Sequence, residues 1–126
     1  MEANTNTLNW FEVPAADFDR AKKFYETIFD ITLAVMDFEG FKMGMFPADP
    51  TDGKLHGCIC SGEWYKPSQD GVLVYFNGNP DLQTALGKVE AAGGKILQPK
   101  RQIGEFGYMA MFIDSEGNRV ALHSNN

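Results

Sequence analysis

Apolar and polar positions along this chain run through one order of periodicities, and then run through it again. From Leu8 a short apolar strand (LNWFEVP) leads into a helix (DFDRAKKFYETIF), and three strands follow. From Gly71 a second strand (GVLVYFNG), a second helix (PDLQTALGKVEAAG) and three more strands repeat the pattern. Met43-Gly44-Met45-Phe46 matches Met109-Ala110-Met111-Phe112 at an offset of 66, and Cys60-Ser61 matches His123-Ser124 at an offset of 63. Internal repeats of this kind decide the fold before any single motif does. Two βαβββ modules, over about residues 8–63 and 71–125 with a link at 61–70 (SGEWYKPSQD), predict one α+β domain spanning 1–126. The expected architecture is eight strands in two four-stranded sheets, each backed by one helix, with a cavity shared between the halves. The second module is expected to begin between Asp70 and Val72.

The helices are read from spacings of three and four. Phe18, Ala21, Phe24, Tyr25 and Ile28 make one apolar face in the first, with Asp17 as N-cap and Asp19 in the first turn. Leu82, Ala85, Leu86, Val89 and Ala92 make the same stripe in the second, between an Asn79 cap with Pro80 at the first position and a Gly93-Gly94 stop. Strand parity then divides the sheet faces, because successive side chains point to opposite sides. Phe11 and Val13 face the helix, so Trp10 and Glu12 point away from it. Val120 and Leu122 do likewise, which leaves Ala121 and His123 on the concave face. Cys58 and Cys60 go together, as do Val72, Val74 and Phe76.

Composition narrows the function. A formal charge of −6, from 17 acidic and 11 basic residues, argues against nucleic acid and anionic membrane surfaces and permits a cationic ligand. No apolar run approaches the roughly 18 residues of a spanning helix. The start (MEANTNTLN) has neither a basic nor an apolar leader segment, so the expected location is the cytoplasm. Cys58 and Cys60 are the two cysteines. At i and i+2 of one strand their Cα atoms lie roughly 6.5–7 Å apart, which disfavours a disulfide and makes them small apolar fillers. Gly-x-Gly-x-x-Gly, P-loop, Cys-x-x-Cys and Gly-x-Ser-x-Gly patterns are all missing.

NWFEVPAADFDRAKKFYETIF at Asn9 to Phe29, AAGGKI at Ala91 to Ile96 and IDSEGNRVALHS at Ile113 to Ser124 resemble the vicinal oxygen chelate superfamily of glyoxalase I, bleomycin-resistance proteins and extradiol dioxygenases. The resemblance runs from Leu8 to Ser124 and implies tandem modules forming a cupped mixed sheet around a central cavity. It also implies four metal-ligand positions, one on the first and one on the last strand of each module, here Trp10, Cys58, Val72 and Ala121. Three of the four cannot ligate, so no metal and no cofactor are expected, nor glyoxalase I turnover. The family commonly pairs modules between chains, which implies a homodimer.

Three functions stay open. The preferred one is a glyoxalase/bleomycin-resistance-like protein binding an aromatic or cationic small molecule in a metal-free cavity, with Trp10, Cys58, Cys60, Val72, Val74, Ala121 and Phe106 as its lining. The second is a metal-dependent glyoxalase I-like lyase or isomerase, or a dioxygenase-type enzyme, with a displaced ligand set such as Glu12, Cys60 and His123. The third is a metal-free enzyme using Glu12 and His123 as acid and base. Each residue also has a plainer reading. Trp10 can be a plug, Glu12 a solvated carboxylate, and His123 an exposed imidazole near the C-terminus. His56 reads as a surface residue at a strand start, and Trp64, Tyr65 and Phe106 as dimer contacts.

Overall fold

The computed structural model describes residues 1–49 and 51–126; Pro50 lies outside the described residues. Among these, the first module contains β1 (Trp10–Pro14), α1 (Phe18–Phe29), β2 (Ala34–Phe38), β3 (Phe41–Met45) and β4 (His56–Ser61). The second contains β5 (Tyr75–Asn77), α2 (Gln83–Leu86), β6 (Lys95–Gln102), β7 (Tyr108–Ile113) and β8 (Arg119–Ser124). The strand orders are β1-β4-β3-β2 and β5-β8-β7-β6, so the two sheets are repeats of one topology. In each, the first strand runs parallel to the last, and the other pairings are antiparallel.

α1 begins where the sequence places it. The Asp17 carboxylate accepts a hydrogen bond from Arg20 N at 3.1 Å, and Asp30 closes the helix in the left-handed region. Its buried face is Phe18, Ala21, Phe24, Tyr25 and Ile28. One apolar core joins this face to Ile59, Phe76, Leu82, Leu86, Phe112 and Leu122, so both modules are buried against each other.

A polar latch also joins them. The Tyr25 hydroxyl donates to Asp114 Oδ2 at 2.6 Å, and Asn118 Nδ2 donates to the Pro14 carbonyl at 2.6 Å. Glu116 accepts from Arg20 Nε at 2.6 Å and from the Asp17 amide at 2.6 Å. Burial alone would raise the Glu116 carboxyl, but Arg20, the Asp17 amide and Ser115 outweigh it and hold it below its ordinary value. All three acceptors or donors on the second module come from the tight β7–β8 turn, where Gly117 takes a φ of 98° that other residues resist.

Two expectations are corrected here. The second module's first strand is only three residues long, Tyr75–Asn77, and Val72 lies ahead of it at 91% exposure. β5 pairs with β8 alone, and ahead of it Ala121 N bonds Val74 O at 2.9 Å while the next backbone bond from β8, Arg119 N at 3.3 Å, goes to Ser68 O, so among the described residues Val72 is looped out of the ladder. Val74 and Phe76 do share a face, with Phe76 in the core and Val74 packed against it, while Tyr75 and Asn77 share the face of their register partners Ala121 and His123. The second helix is also shorter than its stripe. It starts after Leu82, because the Asn79 side chain accepts from Asn125 N instead of capping. It loosens at Gly87, a weak helix former, into bonds from Lys88 N to Ala85 O and Val89 N to Leu86 O. Leu82, Ala85, Leu86 and Val89 remain buried, so the apolar pattern survives the loss of regular helix.

Candidate functional site

β1 and β5 are both edge strands, and between them the modules leave a cleft of about 1150 Å³. Its floor is aromatic. Phe11 and Phe76 meet edge-on at 5.7 Å between ring centroids, Phe46 and Phe76 lie 5.4 Å apart, and Phe29 and Phe76 5.3 Å apart. Trp10, Glu12, Val72, Val74 and Tyr75 line it as well, with Trp10 at 40% exposure. The charged lining residues are Glu12, Asp30, Asp81 and Lys88, three acidic against one basic.

Glu12 is the best-held polar group in this cleft. Its Oε1 accepts from the Tyr65 hydroxyl at 2.8 Å, and its Oε2 accepts from Trp10 Nε1 at 3.2 Å and from Cys60 Sγ at 3.7 Å. The Tyr65 hydroxyl is raised well above its ordinary value, first by this bond to Glu12 and then by burial. The arrangement follows from strand pairing. Glu12 stands in register with Cys58 across the parallel β1–β4 ladder, so the carboxylate shares the face of both thiols. Cys58 and Cys60 are fully buried and free, with sulfurs 3.1 Å apart. Burial, then the neighbouring sulfur, pushes the Cys58 thiol far up; burial, with the Glu12 charge adding to it, raises Cys60. At neutral pH both are thiols rather than nucleophilic thiolates.

The sequence-predicted site residues therefore fall into separate groups. Trp10, Glu12, Val72 and Val74 line the cleft, and Glu12, Cys58 and Cys60 meet beside it. Ala121, His123 and Phe106 belong to the second module and do not line the cleft. His123 Nε2 is 2.6 Å from the Phe106 carbonyl, on the 3₁₀ turn Gly104–Phe106, where Phe106 itself is 72% exposed. No hydrogen bond joins Glu12 to His123 among the described residues, so the acid–base pair is not assembled here. The Glu12, Cys60 and His123 ligand set is not assembled either, because among the described residues the cluster of potential donors contains Cys58 in place of His123. The four positions implied by the resemblance do not fit a metal: Trp10 offers only a donor, Val72 and Ala121 offer none, and Val72 is outside the strand.

Sequence reasoning missed the aromatic floor, Tyr75, and Tyr65 as the partner of Glu12. The offset of 63 held the signal for Tyr75, which stands in the second module where Glu12 stands in the first.

Relatives share this scaffold. An anthracycline biosynthesis protein, DauV of Streptomyces sp. (strain C5), is 27% identical over 126 residues, covering 90% of this chain and 45% of its own length. DnrV of Streptomyces peucetius, also an anthracycline biosynthesis protein, is 26% identical over 90% of this chain and 45% of its own. The chain thus spans about half the length of the curated relatives it matches. Among solved structures, TnmS3, an antibiotic binding protein from Streptomyces sp. CB03234, superposes with a TM-score of 0.63 at 20% identity, covering 99% of this chain and 100% of its own. Glyoxalase I from Zea mays superposes at 0.67 and 22% identity, over 98% of this chain and 48% of its own. At such identities these two share the fold. A family model matches residues 7–122, and by that match the chain belongs to the Glyoxalase/Bleomycin resistance protein/Dioxygenase superfamily.

Proposed function

We propose that this protein binds a flat, cationic aromatic molecule of drug size in the cleft between β1 and β5, without a metal at the family's usual positions. The observation that carries the reading is a preorganised carboxylate at the edge of an aromatic-lined cleft. Glu12 is held by Trp10 and Tyr65 at one wall, and Phe11, Phe29, Phe46 and Phe76 contribute to the lining from the other face of β1. Ring stacking on Trp10 and attraction to Glu12 act together on a cation with a flat π-system. The cleft volume of about 1150 Å³ lies just above the roughly 300–1,000 Å³ of drug-sized pockets and leaves room for such a ligand. The three-to-one acidic lining and the overall charge of −6 favour the same sign of ligand. The antibiotic-binding and anthracycline-related proteins of similar fold or sequence lend the reading support. We further propose a homodimer, for which the exposed Trp64 and Phe106 supply apolar contacts. Light scattering is expected to return twice the chain mass of 14.0 kDa, and a 14.0 kDa particle at micromolar concentration would reject it.

The test of binding is a fluorescence titration with proflavine, a planar aromatic cation, beside acridone, a neutral ring system of the same size. Saturable proflavine binding is expected. Trp10→Ala should weaken both ligands, whereas Glu12→Gln should weaken proflavine alone, by up to about fivefold, since an exposed ion pair contributes at most about 1 kcal/mol. Equal affinity of the wild type and both variants for proflavine would overturn the assignment.

A further inference from the structure

The sequence reading treats the two cysteines as fillers and expects no zinc, because Cys58 alone cannot hold an ion. The structure changes the premise. Glu12, Cys58 and Cys60 place one carboxylate oxygen and two sulfurs all within 4.8 Å of one another. We propose that this trio is a site for a thiophilic divalent ion, zinc above all, beside the cleft and sharing only Glu12 with the small-molecule reading.

Three features support it. The first is donor chemistry. Two thiolates and a carboxylate match zinc, which takes sulfur, nitrogen and oxygen ligands, and they mismatch magnesium and calcium, which need oxygen throughout. Binding releases the two thiol protons to solvent, and the three resulting negative charges leave a net charge of −1 around the ion.

The second is geometry. Zinc–sulfur bonds of about 2.3 Å at a tetrahedral angle set the sulfurs about 3.8 Å apart. The observed 3.1 Å requires each sulfur to move outward by only a few tenths of an ångström. Both sulfurs come from one face of β4, so no backbone change is needed to aim them together.

The third is support around the ligands. Metal-binding carboxylates are held in turn by hydrogen bonds, and Glu12 already has Tyr65 on one oxygen and Trp10 on the other. The Tyr65 hydroxyl or a water is the natural fourth ligand. Entry is from the exposed Glu12 side, since Cys58 and Cys60 have no solvent-accessible surface. Only Cys58 is shared with the positions implied by the family resemblance, so the site is displaced onto β1 and β4 of a single module.

The experiment uses the full chain, stripped with a chelator, and titrates it with cadmium while following the ultraviolet thiolate-to-cadmium charge-transfer band. Zinc is then used to displace the cadmium. One ion per chain is expected, with two protons released per ion in weakly buffered solution. Cys58→Ala and Cys60→Ala should each lower affinity by more than about 100-fold, beyond the 10–100-fold that loss of a supporting group brings. His56→Ala, which removes the imidazole paired with Asp52, should leave binding unchanged. The wild-type band and proton count need no variant, so misfolding of a cysteine variant cannot hide the answer. Absence of the band in the wild type would overturn the proposal. So would one-to-one zinc binding that survives in the double cysteine variant or disappears in His56→Ala. Proflavine binding by the stripped chain reports on the small-molecule reading separately, so either can fail without the other.

Discussion

Replacing Tyr25 by Phe tests whether the latch between modules is energetically real. The ring sits at 0% exposure and packs edge-on against Phe24 at 5.0 Å, and Phe would keep that packing. Only the hydroxyl is lost, together with its 2.6 Å bond to Asp114 Oδ2. Hydrogen bonds to charged groups contribute about 1.5–3 kcal/mol. Asp114 keeps other donors: the Glu116 and Asn118 amides at 2.9 Å on Oδ1, and Asn118 Nδ2 at 2.9 Å on Oδ2. It is not orphaned, which puts the expected loss near the middle of that range, about 2 kcal/mol. That is a drop of roughly 30-fold in the folding constant and about 8 °C in Tm for a chain of this size. Urea unfolding followed by tryptophan fluorescence should show the midpoint fall with no change in slope. Tyr108→Phe is the control, because the Tyr108 hydroxyl has no partner among the described residues and its ring keeps the Lys100 ammonium 4.6 Å above it. A loss below about 0.5 kcal/mol for Tyr25→Phe, or an equal loss in both variants, would refute the reasoning.

Two further outcomes follow from the same elements. The Glu116 carboxyl is lowered in the folded state, so its contribution is complete above its ordinary value of 4.5 and is lost as pH falls through the folded value; urea midpoints should drop below about pH 4.5, and Glu116→Gln should flatten that drop. Asp17→Ala removes the cap on Arg20 N and should cost about 1 kcal/mol, measured by the same unfolding curves, with Asp17→Ser recovering most of it.

Much of this was legible in the sequence, and the exceptions have physical reasons. Long amphipathic repeats carry strong signals, so α1, its Asp17 cap and the parity of Phe11, Val13, Val120 and Leu122 came through intact. The second module misled where its signals compete. Val72, Val74 and Phe76 read as one strand because nothing in composition says that pairing to β8 stops at Val74. The stripe through Val89 reads as regular helix, yet Gly87 lets the chain tighten while keeping the same side chains buried. For the site, the residue types were visible and their company was not. Glu12 and Cys58 are 46 positions apart, and only the parallel register of β1 with β4 makes them neighbours.

That register also explains why transferring ligand positions along the chain gave so little. Glu12 stands opposite Cys58, and Tyr75 stands opposite Ala121, each residue of the second pair 63 positions after its counterpart. The next concave positions along the last strands are Cys60 and His123, at the same offset. Three equivalent backbone positions thus carry a carboxylate and two thiols in one module, and a phenol, a methyl group and an imidazole in the other. The pleat decides which positions meet, and it does so identically in both halves. Side chains decide what the meeting can do, and here the two halves have diverged. A metal held symmetrically between modules needs ligands from both sets, and the second set offers the weak Tyr75 phenol and His123, which already faces the Phe106 carbonyl. The donors concentrated in the first module make a one-sided site, set against a cleft whose opposite wall is Tyr75 and apolar side chains beside Asn77, Asp81 and Lys88. Such an asymmetry suits gripping the charged end of a flat molecule at one wall while the rest lies on the aromatic floor.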